Sequence, residues 1–197
     1  MNPPFAAVLL AGGRSTRMKQ DKALLHWHGQ DLWQAQLHKL QSLGAARVLL
    51  SCRREQPLFV SPSEGVEVMH DPEGVDEGPL GAITRCLEQV QMPLLVLAVD
   101  MPWMTAAFLR EYLVPHAEPV RGQFFRGPHG DETLAGLYVP AMLPLMQDAL
   151  HAKHLALQPI IEAAVHAELA ATHVLGDAEM PFFRNANTPH DLKLAGS

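Results

Sequence analysis

The sequence predicts an α/β protein, built as a three-layer, doubly wound and mostly parallel sheet. Three features predict it. Apolar runs of strand length alternate with stretches of helical periodicity through the first half, the pattern of right-handed parallel crossovers. The run 93–99 is nearly all apolar, as a central parallel strand buried on both faces should be. The first apolar run ends in Gly12-Gly13 and then a burst of basic residues, at a strand's carboxyl end, where such sheets hold ligands.

The first strand is expected over residues 5–11, followed by a loop through Asp21 and an extended piece near 23–28. His28-Gly29-Gln30 is a turn, and Asp31 caps a helix to Gly44 with the apolar stripe Leu32, Trp33, Leu37, Leu40 and Leu43. A second strand follows over 47–52. Pro57, Pro62 and Gly65 break the chain, and a third strand over 66–69 leaves Asp71 at its terminus. The loop from Glu73 enters a helix that continues to about Val90. After the central strand 93–99 come Asp100-Met101-Pro102 and a helix capped by Thr105. The second half is less regular. It reads as strands over 119–125 and 133–139, helices over 140–151 and 157–164, and an aromatic strand at Phe182-Phe183. A last helix starts with Thr188 as N-cap and Pro189 in its first turn.

A chain of 197 residues suits one domain, residues 1–197, with a sizeable core. Hydrophobic residues make up 48%, charged residues 18%, and the net charge is -6. That balance excludes a disordered chain and argues against nucleic-acid or membrane-surface binding, both of which want a basic face. The start carries no basic side chains before its short apolar run, so neither a signal peptide nor a membrane span is expected, and the cytoplasm is the default setting. The two cysteines, Cys52 and Cys86, fit core thiols rather than a disulfide framework or a zinc site. Eleven histidines lack metal-ligand spacing; His26, His28, His151 and His154 read as surface residues.

Gly12 and Gly13 free the backbone N–H groups of the turn after the first strand, making an anion nest, and Arg14, Arg17, Lys19 and Lys22 bring cations beside it. This suits a polyphosphate. The spacing is not that of a P-loop, and no third glycine completes a dinucleotide fingerprint. Asp71 and Asp100 fall at the ends of other expected strands, on the same rim. Asp100 is the candidate magnesium ligand, because magnesium needs only one or two carboxylates plus substrate phosphates. No general base stands out, and Ser15 and Thr16 lack a histidine–carboxylate pair for nucleophilic catalysis. A phosphate monoester, with its second pKa near ~6, is already an ionised nucleophile at neutral pH and needs no base.

Residues 10–22, Leu-Ala-Gly-Gly-Arg-Ser-Thr-Arg-Met-Lys-Gln-Asp-Lys, resemble the opening signature of the molybdenum cofactor guanylyltransferase family, with Lys19 where that family has glycine. Gly78-Pro79-Leu80, Asp100-Met101-Pro102 and Asn185-Ala186-Asn187-Thr188-Pro189 are similar to its later motifs, as is Thr133-Leu134-Ala135-Gly136-Leu137-Tyr138, with Thr133 replacing proline. The resemblance implies a Rossmann-like fold of the nucleotide-diphospho-sugar transferase type. It also implies transfer of GMP from GTP to the terminal phosphate of molybdopterin, with release of pyrophosphate. On matching positions, Leu10, Ala11, Gly12, Gly13, Gly78, Pro79 and Leu80 hold the nucleotide and Asp71 lies in its pocket. Arg17 and Lys22 meet the phosphates, Asp100 binds Mg2+, and Asn185 and Asn187 lie on the pterin side or organise the site. Molybdoenzymes or their chaperones are the protein partners it suggests.

Guanine rather than cytosine rests on Gly12-Gly13, where the sister cytidylyltransferases have Ala-Gly. Lys19 either adds charge for phosphates or stiffens the loop. Two alternatives stay open: a cytidylyl- or sugar-phosphate nucleotidyltransferase, and a non-catalytic nucleotide- or cofactor-binding chaperone on the same fold.

Overall fold

The computed structural model describes residues 2–13, 21–58, 60 and 65–193. Its strands are β1 (Ala6–Leu10), β2 (His26–Trp27), β3 (Gln30–Asp31), β4 (Arg47–Cys52), β5 (Val66–His70), β6 (Leu94–Ala98), β7 (Gly122–Gly127), β8 (Gly130–Tyr138) and β9 (Ala170–Val174). The helices are α1 (Leu32–Gln41), α2 (Gly78–Val90), α3 (Ala106–Tyr112), α4 (Leu143–His151), α5 (Leu157–His166) and α6 (Pro189–Lys193).

Among the described residues, seven strands form one sheet in the order β5-β4-β1-β6-β8-β7-β9. β1 lies near its centre, parallel to β4 and to β6, so that Leu9 stands level with Leu50 on one side and Leu97 on the other. Alternation of side chains splits the core in two. Ala7 and Leu9 pack with Leu32, Trp33, Leu37 and Leu40 of α1 and with Phe108 and Leu109 of α3. Ala6 and Val8 face Ile83 and Leu87 of α2 and Ile160 and Ile161 of α5. The sheet is therefore the middle of three layers, as expected. It is mostly parallel, with β8 antiparallel to both β6 and β7.

Three details depart from the expectation. The piece around Lys22 is a 3-10 turn, Lys22–Leu24, followed by the small ribbon β2–β3. The aromatic segment is no strand: Met180–Phe183 is a 3-10 turn. Pro181 has no N–H for a ladder and fixes φ, and both phenylalanines instead pack against the ring of Phe108. The edge strand β9, parallel to β7, was not expected at all; its Ala-Ala-Thr-His-Val carries little apolar alternation.

Candidate functional site

Backbone bonding continues one residue past the central strands and brings their ends to one rim. Ala11 N donates to Ser51 O at 2.8 Å, Val99 N to Leu10 O at 3.0 Å, and Asp71 N to Cys52 O at 3.1 Å. Gly12, Arg53, Asp71 and Asp100 therefore follow from the ends of β1, β4, β5 and β6 as neighbours. They line a cavity of about 570 Å³, within the usual range for a small-molecule site. Leu10, Ala11, Gly13, Lys22, Gly78 and Pro79 line it as well.

Lys22 opens the 3-10 turn and reaches across the rim. Its Nζ donates to Asp100 Oδ2 at 3.1 Å and to Asn187 Oδ1 at 2.5 Å. The turn is moored by Asp21, whose Oδ1 accepts Ala23 N at 3.0 Å. Asp21 Oδ2 accepts Arg53 Nη2 at 2.9 Å and Gln56 Nε2 at 2.8 Å. Gln56 is buried, and its Nε2 also bonds Ala11 O at 2.9 Å.

The C-terminal segment arrives from the other side. Ala186 N donates to Asp100 O at 2.7 Å, which seats Asn187 beside Lys22. The start of α6 is a reciprocal cap: Asp191 N bonds Thr188 Oγ1 at 3.2 Å, while Asp191 Oδ2 accepts the N–H groups of Asn187 and Thr188 at 2.8 and 2.7 Å. These bonds hold the Asp191 carboxyl below its ordinary range.

Asp71 is held between a glycine and an arginine. Its Oδ1 accepts Arg85 Nη2 at 2.9 Å, and Arg85 Nη1 grips Glu77 Oε2 at 2.7 Å. Its Oδ2 sits so near Gly12 that a Cβ there would lie 2.8 Å from it. A side chain at Gly12 would therefore displace the Asp71 carboxylate, while the nearest backbone atoms, at 3.7 Å, would be in ordinary contact. Around Gly13 a Cβ would meet nothing within 4 Å, so the backbone there is open. Gly78 begins α2 with φ of 56°, which favours glycine.

Most of the expected residues therefore meet. Leu80 does not join them; it is fully buried with Ile83 and Leu87 beneath the sheet. Asn185 and Asn187 are both exposed and neither lines the cavity; Asn187 is joined to its wall by the bond from Lys22. Arg14, Arg17 and Lys19 lie outside the described residues. Both cysteines are free and buried, and burial pushes their thiols up, to about 11 for Cys52 and about 12 for Cys86. His26, His28, His151 and His154 are exposed.

Sequence reasoning passed over Arg53, Gln56 and Arg85. Arg53 had a visible signal, as a charged residue directly after an apolar strand. Arg85 stands in a mostly buried helix, where a charge needs a partner. Gln56 gave none.

Among the described residues no group of three or more His, Cys, Asp or Glu could hold a metal by itself. The Asp100 carboxylate still suits a hard cation, on the cavity wall with the Asn187 amide oxygen close by and room beside it for phosphate oxygens. No described helix is long and apolar enough to cross a membrane.

Residues 7–173 match the model of the family described as "MobA-like NTP transferase domain". The chain is 32% identical over 191 residues to the "Probable molybdenum cofactor guanylyltransferase" of Opitutus terrae, covering 95% of this chain and 92% of that protein. It is 39% identical over 114 residues to the molybdenum cofactor guanylyltransferase of Xanthomonas euvesicatoria pv. vesicatoria, a match spanning 57% of this chain and 55% of that protein. Among solved structures it is similar to the molybdopterin-guanine dinucleotide biosynthesis protein A of Archaeoglobus fulgidus, with TM-score 0.68, 22% identity and 96% of each chain covered. It also resembles the 2-C-methyl-D-erythritol 4-phosphate cytidylyltransferase of Thermus thermophilus, with TM-score 0.66, 16% identity and 95% of each chain covered. At those identities the two structures speak to the fold alone.

Proposed function

The chain belongs to the molybdenum cofactor guanylyltransferase family of MobA-like NTP transferases, and from that premise we propose that it transfers GMP from GTP to the terminal phosphate of molybdopterin. An oxygen of the molybdopterin phosphate attacks the α-phosphorus of GTP. The bond from that phosphorus to the bridging oxygen breaks, and pyrophosphate leaves with the electron pair. The attacking phosphate is already ionised near neutral pH, since its second pKa is ~6, so the reaction needs no base beside Asp100.

The observation that carries this reading is the meeting of Lys22, Asp100 and Asn187 at one end of a cavity whose wall includes Gly12 and Asp71. In this structure Lys22 is neutralised by Asp100. As GTP enters, Lys22 exchanges that carboxylate for phosphate oxygens, where its charge opposes the charge that builds on the leaving group. Mg2+ held by Asp100 would supply a cation shared with the phosphates and stabilise the same developing charge. The open, exposed backbone at Gly13 leaves space for a purine beside the turn. Arg17 is assigned to the phosphates by its place in the motif, and Leu10, Ala11, Gly78 and Pro79 to the nucleotide. Leu80 supports them from the core. Asn187, with Asn185, faces the pterin-bearing substrate. Delivery of the product to molybdoenzymes or their chaperones, in the cytoplasm, completes the reading.

The experiment is Mg2+-dependent pyrophosphate release with molybdopterin and, separately, GTP, CTP, ATP or UTP. Release with GTP alone is the expected outcome. Release with CTP instead would make the chain a cytidylyltransferase. Nucleotide binding without release would make it a binding protein on this fold.

A further inference from the structure

Gln36 is a polar side chain inside the apolar stripe of α1, and it is fully buried. Its Nε2 donates to Met101 O at 2.9 Å and makes longer contacts to Val99 O at 3.3 Å and Ala98 O at 3.4 Å. These carbonyls bracket Asp100. They belong to the bend where β6 has ended; Ala98 O and Met101 O also accept the long backbone bonds of Met101 N and Met104 N, both at 3.3 Å, and Val99 and Met101 are themselves buried away from water. The Gln36 amide adds two N–H donors, shared among the three carbonyls. Its own Oε1 accepts the ammonium of Lys39, one turn along α1. Lys39 Nζ also donates to Pro102 O at 3.1 Å, two residues beyond Asp100. Two side chains of one helix thus hold four carbonyls on both sides of a single carboxylate.

We propose that Gln36 and Lys39 are positioning residues, which fix the bend of residues 98–102 so that the Asp100 carboxylate presents its oxygens to a divalent cation carried by the nucleotide. The proposal rests on the assignment of Asp100 as a metal ligand. Neither residue lines the cavity; both act through the backbone of the bend. A bend that loses these side-chain donors keeps only long backbone bonds at Ala98 O and Met101 O, so it rearranges to find others, and the carboxylate moves with it. A metal site that is about 1 Å too loose loses much of its affinity.

The test is direct binding of Mn2+ with GTP, read by water-proton relaxation on the full chain, so that turnover is not the readout. The chains compared are wild type, Asp100→Ala, Gln36→Met, Lys39→Met, Lys39→Arg and Leu37→Ala. Leu37 is equally buried on the same helix but makes no polar bond to the bend, so its variant reports a simple loss of packing. The expected result is a roughly five- to tenfold weaker Mn2+ affinity in Gln36→Met, with metal-free GTP binding unchanged, and about threefold weaker in Lys39→Met. Lys39→Arg restores it, and Leu37→Ala lowers the melting temperature without moving it. If Gln36→Met does not fold, the two Lys39 variants carry the same test. Mn2+ binding that is lost in Asp100→Ala but unchanged in Gln36→Met and Lys39→Met overturns the proposal alone. Mn2+ binding that survives Asp100→Ala overturns the metal assignment, and the proposal with it.

Discussion

The ammonium of Lys22 lies 3.1 Å from the carboxylate of Asp100, although 78 residues separate them in the chain. Both side chains are partly exposed, so the pair adds little to stability by itself. Under the proposed function its meaning is chemical: one residue is assigned to phosphate and the other to a cation, and in this structure each pairs with the other.

Lys22→Ala is therefore expected to lower kcat by roughly 10²–10³-fold, the usual loss when one donor to developing charge is removed. The KM for GTP should change much less. Steady-state kinetics with GTP and molybdopterin separate the two. A raised KM with an unchanged kcat would leave Lys22 as a ground-state contact only.

Gly12→Ala places a Cβ 2.8 Å from Asp71 Oδ2, and the carboxylate must shift. GTP binding is expected to weaken about tenfold, or ~1.4 kcal/mol. Asp71→Gly vacates that space, so adding Gly12→Ala to it should cost nothing further. Calorimetric titration of the single and double variants gives the coupling directly. Equal costs in both backgrounds would show that the two residues act independently.

Asp191→Ala releases the N–H groups of Asn187 and Thr188, which its Oδ2 now accepts. The segment that seats Asn187 beside Lys22 loosens. A several-fold fall in kcat with little change in far-UV circular dichroism is expected. Full activity in this variant would detach the cap from the site.

The buried thiols make stability fall at high pH. Their folded pKa values are raised, to about 11 for Cys52 and about 12 for Cys86, so their contribution is intact below the ordinary thiol value and is lost as pH rises through the folded ones. For Cys52 the loss is of order ~2–3 kcal/mol. Lys39 acts in the opposite sense: burial lowers it to about 8, so its charge penalises the fold below that pH and the penalty lifts between about 8 and its ordinary value of 10.5. Denaturant melts of the wild type and of Cys52→Ala/Cys86→Ala, compared from about pH 8 to about pH 11, isolate the thiols, since Lys39 is common to both. The double variant should lose less stability over that range.

Much of the fold was legible because its central strands are continuous apolar runs and α1 and α2 carry helical stripes. Strand β9 was not, since an edge strand with a single neighbour needs little hydrophobic pattern. Phe182 and Phe183 look like strand residues, but the ring of Phe108 and the preceding Pro181 turn them into a 3-10 bend. Within the site, Gly12, Lys22, Asp71 and Asp100 could be read from motif and strand ends, because parallel sheets present ligands there.

By itself, then, the sequence determined the layer architecture, the family, and which strand ends carry glycine, carboxylate and lysine, all of which depend on local pattern or on short ordered motifs. Only the tertiary structure decided the partners: Lys22 with Asp100 and Asn187, Asp71 with Arg85 and Gly12, Gln36 with the bend around Asp100. All of these contacts but Asp71–Arg85, whose partners are 14 residues apart, join segments far apart in the chain, and a hydrogen bond or close approach of that kind is set by how the layers pack. It leaves no periodicity in the residues that make it.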